Sequence, residues 1–259
     1  MNRTTVVAVA IMLVAATASA QQPQALNAAE LYQSALNLMT GGSQTRDPID
    51  GVSKLRESAK LGYAPAQTAM IDYADTPEEA AGFCRKAADQ GDVLGEWCIG
   101  RAYFLGSGVL KDWSTAEKWL QKASEQGNPF AAYTLGLIAQ DRDPKSAPAW
   151  FQKAAEQGLP QAQRKLGLVL KQGRSVATDK YHAYVWLLVS EEAGATAGPE
   201  LDELESDLGT TTVSRAKIEA RELARTTSRT ATAHGCTGWT GEFDDLPALP
   251  PIDIQKFCR

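Results

Sequence analysis

Apolar positions along this chain recur three and four residues apart, and a glycine breaks the pattern at regular intervals. KLRESAKLG ends at Gly62, GFCRKAADQG at Gly91, KWLQKASEQG at Gly127, WFQKAAEQG at Gly158 and VWLLVSEEAG at Gly194. Fifteen residues before each glycine stand Asp47, Thr76, Asp112, Asp143 and Asp179. These are helix N-cap types, whose side-chain oxygens accept from the free N–H groups of a first turn. Proline follows in three of the five, at Pro48, Pro77 and Pro144, where its fixed φ suits the first helical position. Thr76 and Glu79 have the spacing of a capping box. Eleven residues before the glycine come Gly51, Ala80, Ala116, Ala147 and Ala183, eight before come Lys54, Phe83, Trp119, Trp150 and Trp186, and seven before come Leu55, Cys84, Leu120, Phe151 and Leu187. Spacings of three and four place these on one helical face, and the glycine just past them is a C-terminal stop.

A second helix is predicted after each glycine. Small residues stand four positions on, at Ala66, Gly95, Ala131 and Ala162, and again in Ile99-Gly100, Leu135-Gly136 and Leu166-Gly167. They are expected to let this helix B approach helix A closely. No segment sustains a period of two, so no sheet is expected. The segment GSGVLKD (106–112) resembles a phosphate loop only superficially. A P-loop lysine follows a glycine and precedes Ser or Thr, whereas Lys111 precedes Asp112. GRSVATD (173–179) and GGSQTRD (41–47) hold the same offset, which makes all three connections between repeats.

A hairpin of about 36 residues, running G-x-G-V-x-K-D into A-x-x-W-x-x-K-A-A-x-x-G and then A-x-x-x-L-G, resembles the Sel1-like repeat, a relative of the tetratricopeptide repeat. Residues 103–136 carry the motif best and 150–167 also match closely. The first unit, with Lys54 in the aromatic column, and the fifth, ending SEEAG, depart from it. The resemblance covers residues 28–195 and implies an all-α fold, an α-solenoid of antiparallel hairpins that binds other proteins. One hairpin cannot bury its apolar face alone, so such arrays need caps. Residues 25–39 are expected to form a leading helix B, and 199–208 and 212–225 two polar-faced capping helices within 196–230. The segment 231–259 is expected to be an irregular, disulfide-closed tail.

The first twenty residues, MNRTTVVAVAIMLVAATASA, have the charge, apolar run and small-residue ending of a secretory signal, with cleavage expected between Ala20 and Gln21. A short arm, 21–27, would precede the repeats. The expected location is the periplasm or the exterior, at most peripheral to a membrane. The formal net charge of −5 becomes one unit more negative when Arg3 leaves with the signal, and no basic run offers a nucleic-acid footprint. Four cysteines in an exported chain favour disulfides. Cys84 with Cys98 and Cys236 with Cys258 is the favoured connectivity, since 84 and 98 flank Gly91 symmetrically.

Candidate chemistry is sparse. His182 and His234 have no triad partners nearby and are expected to be surface or structural residues. Glu200, Asp202, Glu203, Glu205 and Asp207 fit the solvated face of a helix, as do Glu242, Asp244 and Asp245 a solvated tail; no catalytic, cofactor or metal site is expected. The tryptophan column is expected to pack between helices A and B. Lys86, Lys122 and Lys153 recur five residues before the glycine. Helix A lines the concave surface of related solenoids, so these lysines are either a ladder facing an acidic partner or a response to the helix dipole. The reading is a non-catalytic adaptor, assembly factor or regulator whose partner is another envelope protein. The alternative is a cell-wall or β-lactam hydrolase-like activity, attributed to a cysteine-rich exported group of Sel1-like proteins. That group has a cysteine pair in each repeat with seven intervening residues, whereas one hairpin here has a pair with thirteen.

Overall fold

The computed structural model describes residues 27–41, 46–174 and 176–233. The signal at 1–20, the arm to residue 26, His234, Cys236, Cys258 and the acids of the tail lie outside them. Regular structure among the described residues is entirely helical: α1 (27–40), α2 (Pro48–Lys60), α3 (Ala64–Ala69) continued by a 3₁₀ turn (Met70–Tyr73), α4 (Pro77–Ala88), α5 (Val93–Leu105), α6 (Trp113–Glu125), α7 (Pro129–Arg142), α8 (Ala147–Glu156), α9 (Pro160–Gln172), α10 (Lys180–Glu192), α11 (Gly198–Leu208) and α12 (Thr210–Ala233). The even-numbered helices from α2 to α10 are the A helices. The chain divides into two compact units, and the division falls inside α5, after Gly95.

The helix ends follow the sequence signals with one exception. Asp47, Thr76, Asp112 and Asp179 each accept from a first-turn N–H, at Asp50, Glu79, Ser114 with Thr115, and His182. Glu79 accepts from the N–H of Asp75 instead of Thr76, one residue beyond the reciprocal bond of a capping box. Asp143 does not cap. Helix α7 runs to Arg142, Ser146 donates both N–H and hydroxyl to the Asp143 carbonyl, and α8 starts only at Ala147 with Pro148 in its first turn. At the other end, Gly62, Gly91, Gly127, Gly158 and Gly194 all have φ between 80° and 95°, the left-handed region that only glycine enters freely. The residue after each donates to a carbonyl five positions back, as Asn128 does to Ala123 and Leu159 to Ala154, the Schellman closure.

In the first unit, α2, α3, its 3₁₀ extension and α4 pack together around Leu55, Ala66, Met70 and Cys84, each at most 1% exposed. Helix α1 joins through Ser58, whose hydroxyl donates to the Ala28 carbonyl at 2.6 Å. Gly95 lies so close to the end of α4 that an added Cβ would fall 2.6 Å from that of Ala87.

In the second unit, α6 to α10 pack each on the next, and α11 and α12 close the end against α10. Leu120, Phe151 and Leu187 are fully buried, each worth about 1.5–3 kcal/mol of transfer free energy. Of the small B-helix residues, Gly95 meets its own helix A as expected, whereas those a turn further on in each repeat meet a different neighbour. Gly100 faces Leu120, Gly136 faces Phe151 and Gly167 faces Leu187, with hypothetical Cβ contacts of 2.8, 2.5 and 2.7 Å. Each belongs to the helix A of the following repeat, so helix B also packs tightly on the next helix A.

Cys84 and Cys98 are joined in a disulfide, and both are buried. The connection 106–112 turns at Gly106 and Gly108, both with positive φ. Asp112 N–H donates to the Tyr103 carbonyl nine residues back, as Asp179 does to Leu170 and Asp47 to Leu38. Lys111 lies over the rings of Phe104 and Trp113, at 6.0 and 5.0 Å.

Candidate functional site

On α6 and α8 the column eight residues before the turn glycine is not core. Leu120 and Phe151, one position on, are buried, whereas Trp119 and Trp150 are half-buried. One residue is a 100° step around a helix, which takes these rings from the centre of the apolar stripe to its edge. Each carries the lysine of its own helix one turn later. Lys122 Nζ lies 4.4 Å from the centre of Trp119, Lys153 5.7 Å from Trp150, and in the first unit Lys86 5.8 Å from Phe83. These are cation–π distances, and the lysine stem covers apolar ring surface while the ammonium meets solvent. The predicted lysines are therefore paired with the aromatic column as one repeated device on the A helices. Lys86 belongs to the first unit, and Lys122 and Lys153 to the second.

The same positions on α10 hold Trp186 and Val189, only 9% and 1% exposed. Helix α10 is the A helix against which α12 mainly packs. Along that contact Tyr181 donates to Glu219 at 2.6 Å, and the Arg215 guanidinium lies 5.4 Å from the Tyr181 ring. The A-helix face of the second unit is thus covered on α10 and partly open on α6 and α8.

The acids of α11 lie at the surface, Glu200 half-buried and Asp202, Glu203, Glu205 and Asp207 exposed, and four of them are ion-paired. Glu200 pairs with Arg164 at 3.0 Å, Glu203 with Lys171 at 2.5 Å and Asp207 with Lys180 at 2.8 Å. Glu205 sits 2.8 Å from Lys217 and accepts from the Tyr184 hydroxyl. Lys217 and then Tyr184 hold the Glu205 carboxyl below its ordinary range. Tyr184 is fully buried, and burial, followed by the Glu205 carboxylate, drives its phenol far up. These contacts dock α11 on α9 and α10 while leaving Leu201 and Leu204 to pack. Their partners lie 27 to 36 residues away in three of the four ion pairs, out of reach of any local pattern.

Groups that would suggest catalysis are otherwise engaged. His182 Nδ1 lies 2.6 Å from Asp179, the N-cap of its own helix. Ser214 and Lys217 have S-x-x-K spacing, which a repeat-based reading misses because it falls in α12, beyond the repeats. Ser214 donates to the Thr210 carbonyl at 2.9 Å, and Lys217 pairs with Glu205. Arg101 is buried against the Trp97 ring at 5.9 Å, and desolvation pushes its guanidinium down to about 10. The cavity it borders with Phe104, Phe130 and Tyr133 has about 10 Å³, room for one water at most. Among the described residues, no three His, Cys, Asp or Glu side chains gather to hold a metal.

The chain matches the family profile described as "Sel1 repeat" over residues 73–92, 95–128, 131–159 and 160–194. From 95 onward, each of the matched segments begins in a helix B, in keeping with the tight contact between helix B and the following helix A. Among solved structures it is similar to a Sel1 repeat protein from Oxalobacter formigenes, at 23% identity and a TM-score of 0.60, covering 76% of this chain and 88% of that one. It is also similar to a protective antigen present in uropathogenic Escherichia coli strains that displays an SLR fold, at 20% identity and a TM-score of 0.50, covering 85% of this chain and 58% of that one. At these identities the likeness speaks to the fold, an α-solenoid. No curated protein matches the chain.

Proposed function

The chain carries four Sel1 repeats, and from that premise we propose that it is an exported, non-catalytic scaffold that binds another envelope protein through its A helices. Sel1 repeats are generally protein–protein interaction scaffolds. The observation that supports this role most strongly is the repeated half-buried aromatic beneath a lysine, at Trp119/Lys122 and Trp150/Lys153. Rings held at the surface with an ammonium fixed on one face offer desolvation and charge recognition together, the combination enriched at binding hot spots. Export rests on the N-terminal signal read from sequence, and binding there would serve adaptor, assembly or regulatory roles. The test is affinity capture from cross-linked periplasm with the wild-type chain and a Lys122→Glu/Lys153→Glu variant of unchanged helicity. A saturable partner held by the wild type and lost by the variant is expected. Equal recovery by both would remove these lysines from the binding face.

A further inference from the structure

We propose that side chains at the turn edge of the repeats form a hydrogen-bond ladder joining each repeat to the next, and that the hairpin α8–α9, left out of the ladder on both sides, is where the second unit opens first. Two positions define a rung. One lies five residues after a turn glycine, in the first turn of helix B; the other lies just before the glycine of the following repeat. In the first unit these are Gln67 and Gln90, and the Gln90 amide donates to Gln67 Oε1 at 2.9 Å. In the second unit they are Glu96 and Gln126, and the Gln126 amide donates to the Glu96 carboxylate at 2.7 Å. Gln67 also donates to the Ala59 carbonyl at 3.2 Å, so one side chain ties the end of its own helix A to the end of the next. Gln163 repeats that second bond at the same offset, donating to the Ala155 carbonyl at 3.2 Å.

The same register pairs Ala132 with Gln157 and Gln163 with Ala193. Alanine carries no side-chain donor or acceptor, so each of these rungs keeps one of its two residues. What remains is a pair of buried amide oxygens, Gln157 Oε1 and Gln163 Oε1, with no hydrogen-bond partner among the described residues. Gln163 is only 1% exposed. Both belong to the hairpin α8–α9, Gln157 in its turn and Gln163 in α9. The close contacts of Gly136 with Phe151 and of Gly167 with Leu187 hold this hairpin midway along its helices. Its turn edge is therefore the end that gives, because local opening follows the distribution of stabilising bonds. Helix α8 carries Trp150 and Lys153, so give at this hairpin alters their spacing from Trp119 and Lys122 on α6.

The test is backbone amide exchange of the full chain, followed by NMR at the hydrogen-bonded turn residues: Gly127 and Asn128 beside a rung, and Gly158, Leu159, Gly194 and Ala195 where rungs are missing. In the wild type, protection is expected to be about fivefold lower at the last four than at the first two, the equivalent of one net hydrogen bond. Ala193 is exposed, as Gln90 and Gln126 are, so Ala193→Gln has room to reach Gln163. It is expected to slow exchange at Gly194 and Ala195 about fivefold. Gln163→Leu should abolish that gain in the Ala193→Gln chain and leave these two amides unchanged when made alone. Gln126→Ala, which removes an existing rung, should speed exchange at Gly127 and Asn128 by at least the same factor. No slowing in Ala193→Gln, a slowing that survives Gln163→Leu, or no change in Gln126→Ala would each overturn the ladder. Equal or higher protection at the turns without rungs would overturn the hairpin as the first point of opening.

Discussion

Replacing Gly136 by alanine sets two effects of opposite sign against each other. Alanine is favoured over glycine inside a helix by about 1 kcal/mol. Against that, the new Cβ would lie 2.5 and 2.6 Å from two carbons of the Phe151 ring, where contact needs about 3.5–4 Å. The ring must move by about 1 Å, yet it is fully buried and packs against Tyr133 at 5.7 Å. Overpacking of this kind costs about 1–3 kcal/mol, and a displaced aromatic belongs at the upper end, leaving a net loss of about 1–2 kcal/mol. Gly82, in α4, is the control: nothing lies within 4 Å of its added Cβ, so Gly82→Ala should stabilise by about 0.5–1 kcal/mol. Thermal unfolding followed by far-UV circular dichroism resolves these, since 1 kcal/mol moves Tm by about 2–4 °C at this size. Gly136→Ala is expected to lower Tm and Gly82→Ala to raise it, and Phe151→Leu should cost less in the Gly136→Ala background than alone. A rise in Tm for both alanine variants would refute the close packing of helix B on the next helix A.

Asp112 accepts from Ser114 and Thr115 N–H and from the Thr115 hydroxyl, and its carboxyl lies below the ordinary value, chiefly through the Thr115 hydroxyl. The cap's contribution is therefore complete above the unfolded value near 3.9 and lost as pH falls through the lower folded value; Asp112→Asn, which caps without titrating, should flatten the dependence of Tm on pH below about 4. Tyr184→Phe removes a hydroxyl from Glu205 while Lys217 remains, and chemical denaturation should show a loss of about 1 kcal/mol. Reduction of Cys84–Cys98, which closes a loop of about 15 residues, should cost about 3 kcal/mol, visible as a lower denaturation midpoint with thiol present.

What the sequence made legible was local. N-caps, proline starts, glycine stops and the buried column from Leu55 to Leu187 depend on neighbours within one helix, and period and side-chain type reveal them. The tryptophans were harder, because a large apolar ring signals core equally well at the centre of a stripe or one 100° step to its edge. The cue was the lysine three residues later, whose recurrence with the ring indicates a shared surface. Asp143 carries every mark of an N-cap, but α7 extends to Arg142 and takes up the space a cap would need. The ion pairs that dock α11 were illegible for a different reason: its acids are at the surface as expected, but their partners Arg164, Lys171 and Lys180 are brought against them only by tertiary packing.

The central claim is that the aromatic–lysine face of α6 and α8 is where this chain binds protein. The most direct measurement is the Kd of the captured partner for the wild-type chain and for Trp119→Ala/Trp150→Ala, with helicity and Tm recorded for both. Neither ring is part of the fully buried core, so the fold should survive. Loss of two interface aromatics should weaken binding about tenfold or more. An unchanged Kd with the fold intact would contradict the account.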